Sequence, residues 1–367
     1  MRLFTLLAAF IFCLPWPAKA LLVVDGAGRT VIVPDTVRHV ICSGSGCLRL
    51  LTYLQGQGLA VAVDDIEGKR NQFDARPYAL ANPQLKTLPV FGGFRGQDNP
   101  ELILTLDPAP EVIFKLVGTG RGTAGLDPDE LQARTGIPVI ALRYGNLNER
   151  KHELTAALNL MGAIIGKDER AKEVVAFFER TTADLQRRTA DIPEAAHASA
   201  YVGGVAYAGP HGFQSTEPAY PPFRLVNVRN LAARPGNAAT GGVSDISREQ
   251  IISWNPEQLF LDLSTLQLGD AAGGLYELHT DPAYRTLAAV ESGRVYGLLP
   301  YNWYSQNFES IFANAYFIGR LLYPDRFADV DPAAKADEIY TFIVGKPLFA
   351  EMNHRFGGHA FRAVPMH

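Results

Sequence analysis

The sequence predicts an α/β protein of two similar Rossmann-like lobes with mainly parallel sheets, joined by one long connecting helix and separated by a ligand cleft. Three observations support this prediction. Apolar segments with strand character alternate with helical patterns along most of the 367 residues, which is typical of parallel sheets. One helix–strand unit occurs twice in the chain. Residues 148–190 carry a helical pattern that is almost free of glycine and proline.

The repeated unit is the strongest sign of two lobes. Residues 98–115 and 246–263 each combine a polar start, apolar residues at helical spacing, a proline and a short apolar strand segment. The alignment pairs Glu101 with Glu249, Leu106 with Trp254, Pro108 with Pro256 and Phe114 with Phe260. Two unrelated amphipathic segments would give the same pattern, but the repeat favours two similar lobes with a binding cleft between them.

Residues 1–20 have the pattern of a secretory signal peptide. Arg2 supplies a positive start, Leu3–Leu14 is mostly apolar, and Ala18-Lys19-Ala20 fits a cleavage site. A membrane anchor is the less favoured interpretation, because the apolar run is too short to span a bilayer. A lipoprotein is also less favoured, because Cys13 lacks the small residues that normally precede a lipid-modified cysteine. We therefore predict cleavage after residue 20 and export to a periplasm.

Charge and cysteine content limit the classes of partner and of covalent cross-link that are expected. Without Arg2 and Lys19 of the signal segment, 32 basic side chains remain against 38 acidic ones, a net formal charge of −6. A nucleic-acid partner requires a basic face, so this balance argues against one. Cys42 and Cys47 also remain. In an oxidising compartment their spacing is compatible with a disulfide, but two small buried thiols are the favoured alternative.

The first lobe is predicted to span residues 21–147. A hairpin at residues 21–34 is followed by a strand, a glycine–serine turn and a helix at residues 47–53. The turn is not a phosphate-binding P-loop, because no lysine follows it. Three arginines on the helix after this turn or in glycine-rich loops are candidates for binding an anionic ligand, with solvent-facing or capping roles as alternatives. They are Arg49, Arg95 and Arg121.

The connector is predicted at residues 148–190, with a break near Gly166, and the second lobe at residues 191–330. Residues 331–367 form a C-terminal helical extension. The segment at 207–223 is rich in glycine, proline and aromatic residues, and in a compact domain such a loop is more often functional than idle. Aromatic side chains here and after the last strand suit the wall of a bulky ligand site, or equally a packed core. The candidates are Tyr207, His211, Tyr220, Tyr301 and Trp303.

Catalytic and metal-binding patterns are missing from the sequence. There is no G-x-S-x-G, H-E-x-x-H or C-x-x-C motif, and no two of the eight histidines have the i,i+4 spacing of a helical metal site. We therefore predict no catalytic residues, no bare-metal-ion site and no cofactor. An exported enzyme that modifies a metal complex is retained as a more distant alternative, because catalytic groups converge in space rather than in sequence.

Eight short motifs, in order, resemble those of the class III periplasmic substrate-binding proteins of ABC importers, the group that serves iron–siderophore complexes, haem and cobalamin. The likeness covers nearly all of the chain after the signal segment. Each motif is weak alone, but their order and spacing together are fairly specific. The motifs are D-G-x-G-R-x-V-x-V-P (25–34), N-P-E-L-I (99–103), P-E-V-I-F (110–114), G-I-P-V (136–139), Y-V-G-G (201–204), S-R-E-Q-I (247–251), G-R-V-Y (293–296) and L-Y-P-D-R-F (322–327).

This resemblance implies a monomeric receptor that delivers its ligand to a permease and ATPase at the inner membrane. It also implies that Glu101 and Glu249 dock onto permease arginines; acids favoured at a helix N-terminus are the alternative. Ligand identity does not transfer within the family. Arginines and aromatics together favour an anionic ferric chelate. The Ser43–Cys47 turn does not belong to a recognised siderophore group, so a molybdate-type oxyanion or a corrinoid stays open.

Overall fold

Two parallel sheets, built from separate halves of the chain, dominate the computed structural model. The structure describes residues 20–69, 72–118, 125–233 and 242–366. The predicted signal peptide before residue 20 and the candidate Arg121 lie outside these ranges. No helix within the described ranges is long and apolar enough to cross a bilayer.

The chain alternates between strands and helices, as predicted. The strands are β1 Ala20–Val24, β2 Thr30–Pro34, β3 Val40–Ser43, β4 Ala60–Asp64, β5 Val90–Gly93, β6 Gln97–Asp98, β7 Val112–Leu116, β8 Val139–Leu142, β9 Ser199–Gly203, β10 Ser215–Thr216, β11 Arg229–Asn230, β12 Ser244–Asp245, β13 Leu259–Asp262 and β14 Val295–Leu298. The helices are α1 Cys47–Tyr53, α2 Pro77–Ala81, α3 Pro100–Leu104, α4 Pro128–Thr135, α5 Lys151–Ile164, α6 Asp168–Thr189, α7 Pro221–Leu225, α8 Arg248–Trp254, α9 Gly273–Thr280, α10 Ala288–Glu291, α11 Phe308–Leu322, α12 Pro332–Val344 and α13 Phe349–Arg355.

The two sheets share one topology. The first has the order β6-β5-β4-β3-β7-β8 and the second has the order β11-β9-β13-β14. All neighbouring pairs are parallel except β5 with β6. Strands β3, β7 and β8 of the first lobe therefore correspond to β9, β13 and β14 of the second. Strands β7 and β13 are buried along their whole lengths, which matches their continuous apolar sequences.

The predicted repeat is visible in the local geometry. Helix α3 precedes β7 and α8 precedes β13, and each begins with a capping side chain. Asn99 Oδ1 accepts from the backbone N–H of the third helical residue at 3.1 Å, and Ser247 Oγ accepts from the equivalent N–H at 3.3 Å. In both helices the second residue is a glutamate, Glu101 or Glu249. Phe114 and Phe260, paired by the sequence alignment, both lie in the central strand of the three.

Two helices form the connector predicted at residues 148–190. Helix α5 ends at Ile164 and helix α6 begins at Asp168, so the interruption falls at the predicted position. Gly166 there has a φ of 67°, a left-handed conformation that glycine adopts at little cost. The 22 residues of α6 then pack against α7 and α11 of the second lobe.

The C-terminal extension contacts both lobes. Helix α12 packs against α11 of the second lobe and against α1 and α2 of the first. Beyond α13, Ala360 and Ala363 form bridges with Gly297 and Tyr296 at the edge of the second sheet. A single cluster of buried apolar residues runs from Val23 in the first hairpin to Ala360, so the two lobes share one continuous core. The final segment therefore ties the two lobes together.

Close packing in the second lobe predicts a cost for Gly203→Ala. A Cβ at Gly203 would overlap the carbonyl oxygen and ring of Phe213. We expect the free energy of unfolding to fall by about 1–3 kcal/mol, as measured by urea denaturation. Gly58→Ala is the control, because a Cβ there meets no atom within 4 Å. Equal stabilities for the two variants would contradict this account of the packing.

Candidate functional site

A cavity of about 440 Å³ lies between the two lobes. One wall is residues 146–150, which follow β8 in the first lobe. Asn302 and Gln306, on the segment after the equivalent strand β14, contribute to the opposite wall with Tyr207, Glu217 and Arg224. The cavity thus lies where segments beyond the carboxyl ends of strands meet, the usual position for a ligand in open α/β sheets. Its volume is within the range typical of sites for small organic molecules.

Arginines on the cavity wall are already paired with carboxylates. Arg224 Nη1 lies 2.6 Å from Glu149 Oε1, and this ion pair links α7 of the second lobe to the segment before α5. Arg150 Nη1 lies 3.7 Å from Glu153 Oε2 within one helical turn. The Arg224–Glu149 pair is exposed on both sides and Arg150 is exposed in the other pair, so each contributes little to stability. They do, however, reduce the positive charge available to a bound anion.

Glu217 is the charged group of the wall that lacks such a partner. The residue is 7% exposed, and its carboxylate has no hydrogen bond or ion pair with any residue that the structure describes. Burial raises the pKa of Glu217 to about 7; nearby Asp262 adds to this increase, and Arg224 opposes it. The backbone is held firmly, because the Glu217 carbonyl accepts from Asn230 Nδ2 at 2.9 Å and from Tyr220 N–H at 3.1 Å.

Arg49 lies at the interface between the lobes and is wholly buried. Its Nη1 donates to the Tyr144 hydroxyl at 2.5 Å, and its Nη2 donates to the carbonyl oxygens of Trp303 and Tyr304 at 3.0 Å each. The Tyr144 hydroxyl in turn donates to the carbonyl of Gln306 at 2.6 Å. Within the described residues, this guanidinium does not contribute to the cavity wall. It holds the segment after β14 against the first lobe.

Further polar contacts join the same segment to the first lobe. Tyr304 donates from its hydroxyl to Asp64, and Ser305 Oγ donates to the carbonyl of Ser45 at 2.9 Å. Tyr304 and Ser305 both have positive φ angles, of 51° and 69°. Such angles are costly outside glycine and persist only where surrounding contacts hold them. Arg95, which stacks over the ring of Phe94 at 4.9 Å, lies beside this contact, because Phe94 also packs near Tyr304.

The candidate aromatic residues separate into two groups. Tyr207 is 42% exposed and lines the cavity, and His211 donates from Nε2 to its carbonyl at 2.7 Å. Tyr220 and Tyr301 are wholly buried, with an edge-to-face contact between rings 5.4 Å apart. Trp303 is half-buried against the core. Direct ligand contact by these five residues, and by Arg49, Arg95 and Arg121, stays a prediction; among the described ones, Tyr207 is positioned for it.

Both candidate docking acids lie on the surface. The side chain of Glu101 is 74% exposed and that of Glu249 is 73% exposed. Each contacts an arginine of its own lobe: Glu101 lies 2.9 Å from Arg134, and Glu249 lies 3.4 Å from Arg248. A hydrogen bond from its own backbone N–H and one from Arg134 lower the pKa of Glu101. Both acids are thus accessible to a partner protein.

The arrangement of metal-ligating side chains and the state of the two cysteines bear on the chemistry of the protein. Across the described ranges, no three His, Cys, Asp or Glu side chains converge in a way that would hold a metal ion. Cys42 and Cys47 are free, buried thiols, and burial raises the pKa of Cys47 well above its usual value. Of the two arrangements left open by the sequence, the structure has the buried thiols.

The family model for periplasmic binding proteins matches residues 81–301 of this chain. This match spans more than half of the chain and includes β7 to β14, with both copies of the repeat. The chain belongs to the periplasmic binding protein family. The resemblance identified from the eight short motifs is therefore confirmed, and the family implies a periplasmic location. No curated protein sequence shows significant similarity to this chain.

Several solved structures share the fold. A periplasmic solute binding protein from Veillonella parvula has a TM-score of 0.69 and 17% identity, covering 92% of this chain and 97% of its own. The molybdate periplasmic binding protein MolA from Haemophilus influenzae, bound to molybdate, has a TM-score of 0.66 and 18% identity, covering 89% and 98%. The haem binding protein HutB of Vibrio cholerae has a TM-score of 0.53 and 19% identity, covering 78% and 99%. At these identities, the likeness establishes the two-lobe fold, and the ligands named for these proteins differ.

Sequence reasoning did not single out the charged residues of the cavity wall. Glu149, Glu217 and Arg224 all lie in or beside segments that the sequence analysis described. Glu217 belongs to the loop at 207–223 that was considered functional for its aromatic residues. An isolated glutamate among apolar and aromatic neighbours was the available signal, since such a residue is rarely buried without a reason.

Burial of Asp262 predicts a pH-dependent stability. Burial raises its pKa to about 7, against hydrogen bonds from Ser264. The unfolded chain releases this proton near pH 4, so the contribution of Asp262 to the free energy of unfolding falls as pH rises from about 4 to about 7. Asp262→Asn keeps the acceptor for the Ser264 N–H but does not ionise. We therefore expect the free energy of unfolding of this variant, measured by urea denaturation, to fall less over this pH range than that of the wild-type protein. Glu217, whose pKa is also raised to about 7, contributes a slope of the same sign.

The exposed Asp325→Asn is the matched control for this titration. Its pH profile should follow that of the wild-type protein. An Asp262→Asn profile as steep as the wild-type profile would contradict the assignment.

Proposed function

We propose that this periplasmic binding protein captures a metal chelate, an iron complex of the siderophore type, in the cavity between its lobes and delivers it to an ABC permease. The observation that carries the proposal is the cavity itself. Its volume of about 440 Å³ suits an organic complex, and both lobes contribute to its walls. Tyr207 and the side-chain amides of Asn148 and Gln306 provide the mixture of apolar and hydrogen-bonding surface that such ligands require.

A bare oxyanion is the second candidate, because the fold is shared with MolA, which was solved with molybdate. Recognition of a small oxyanion depends on several free, convergent donors. The arginines on the described part of the cavity wall are instead paired with Glu149 and Glu153. Arg49 is occupied by carbonyl groups of the second lobe. These pairings favour a chelate over a bare anion, and a corrinoid falls within the same class of bulky ligands.

Delivery is proposed to use Glu101 and Glu249. The two acids occupy the same position in repeat-equivalent helices, one on each lobe, with nearly equal exposure. A permease with two similar halves would present equivalent basic groups to such a pair, and its ATPase would complete the importer. Complementary charges of this kind determine partner choice and orientation more than affinity.

The ligand assignment is tested by isolating the mature protein from its native periplasm and measuring its bound metal and organic mass. We expect iron, together with an organic component detected by native mass spectrometry, at near one equivalent per protein. Cobalt with the mass of a corrinoid would show that the ligand is a corrinoid rather than an iron complex. Molybdenum or tungsten without an organic component would establish the oxyanion receptor instead. A ligand that is converted to product on incubation would indicate the enzyme alternative.

The docking assignment is tested by charge reversal of both acids. In the double variant Glu101→Lys, Glu249→Lys we expect transport into cells to fall about tenfold or more, because like charges then face the permease. Affinity for the bound complex should not change, since neither residue lines the cavity. Glu169→Lys is the matched control, because Glu169 is also the second residue of a helix and is 84% exposed, but it lies outside the repeat. Unchanged transport in the double variant would exclude this docking mode.

A further inference from the structure

Glu217 is deeply buried, yet its carboxylate has no partner among the described residues, which is unusual. Charged side chains in protein interiors are normally paired or hydrogen-bonded, because removing them from water is expensive. Glu217 is only 7% exposed, and no described residue pairs with its carboxylate. The residue nevertheless lines the inter-lobe cavity. The carboxylate therefore retains access to whatever occupies that cavity.

Local packing supports a functional role rather than a structural one. The backbone carbonyl of Glu217 accepts two hydrogen bonds, from Asn230 and Tyr220, so the main chain is held without help from the side chain. Arg224, in the following helix α7, directs its Nη1 to Glu149 at 2.6 Å. The chain therefore contains a nearby cation but pairs it elsewhere. A carboxylate kept free in this way is available to a ligand.

We propose that Glu217 is a specificity-determining residue that binds a protonated amine on the chelate. This inference rests on the proposed function, and it narrows the ligand to chelates that carry a cationic nitrogen group. A protonated amine would supply the missing counter-charge and form a charge-assisted hydrogen bond inside a poorly hydrated cavity. The same carboxylate would repel a bare oxyanion, which gives discrimination against a second class of ligand.

The test compares matched probes on wild-type protein and on the Glu217→Gln variant. The probes are ferric chelates of the hydroxamate, catecholate and carboxylate classes, each with a pendant primary amine and in its N-acetylated form, together with molybdate. Affinities are measured by quenching of intrinsic fluorescence at pH 8. Glutamine preserves the shape of the side chain but removes its charge. Glu257→Gln, at an exposed position outside the cavity, is the charge-matched control.

We expect the wild-type protein and the Glu257→Gln control to bind at least one amine-bearing chelate about tenfold or more tightly than its acetylated form. In Glu217→Gln this ratio should fall to near one. Chelate binding with no preference for the amine, or a preference that survives in Glu217→Gln, would overturn the role of Glu217 and leave the chelate function standing. Binding of molybdate with no binding of any chelate would overturn the proposed function and the inference with it, and so would a failure to bind any probe.

A second measurement does not depend on a ligand. In the ligand-free protein at pH 8, Glu217→Gln should raise the Tm by a few degrees, because the variant removes an unpaired buried charge. A lower Tm than that of the wild-type protein would mean that the carboxylate has a structural role, and would overturn the inference. The Glu257→Gln control should leave the Tm unchanged.

Discussion

Burial of the Arg49 guanidinium between the lobes is the constraint on which the arrangement of the site depends. A buried charge must be surrounded by acceptors, and the carbonyl oxygens of Trp303 and Tyr304 supply two of them. To do so, the segment after β14 must cross to the first lobe and adopt positive φ angles at residues 304 and 305. Glu309, buried nearby and hydrogen-bonded by Tyr53, supplies negative charge in the same region. The positions of Asn302 and Gln306 on the cavity wall follow from this contact.

The same contact explains why the lobes form one unit. Helix α12 packs on helices of both lobes, and the buried apolar cluster continues across the interface. Closure of a ligand site by a large hinge motion would have to break the Arg49 contacts and expose part of this core. The architecture therefore favours small adjustments around the cavity, and a wall whose charges are already in place. Such a preorganised wall improves affinity by lowering the ordering cost of binding.

The two lobes carry equivalent helices on their surfaces but different charged residues in their interiors. The equivalent helices α3 and α8 keep their capping residue, their second-position glutamate and their exposure. The interiors of the lobes differ, since the buried acids Glu67 and Asp74 of the first lobe are paired with Arg76, whereas Glu217 and Asp262 of the second lobe have no ion pair among the described residues. Similar surfaces suit a permease with two similar halves. Dissimilar interiors suit an asymmetric ligand held between them.

The sequence by itself determined the two-lobe α/β fold, because strand and helix signals are local and the repeat at Glu101 and Glu249 is a direct comparison of residues. The helical pattern of residues 148–190 and its interruption near Gly166 were predictable as well, because apolar spacing and the conformational freedom of glycine are local properties. Only the tertiary structure decided which polar groups meet across the lobes. Arg49 and Trp303 are far apart in sequence, so their contact depends on how the lobes pack. The sequence also could not show that Glu217 lacks a partner among the described residues. Its nearby cation, Arg224, pairs with Glu149 only because the two lobes bring them together at the cavity wall.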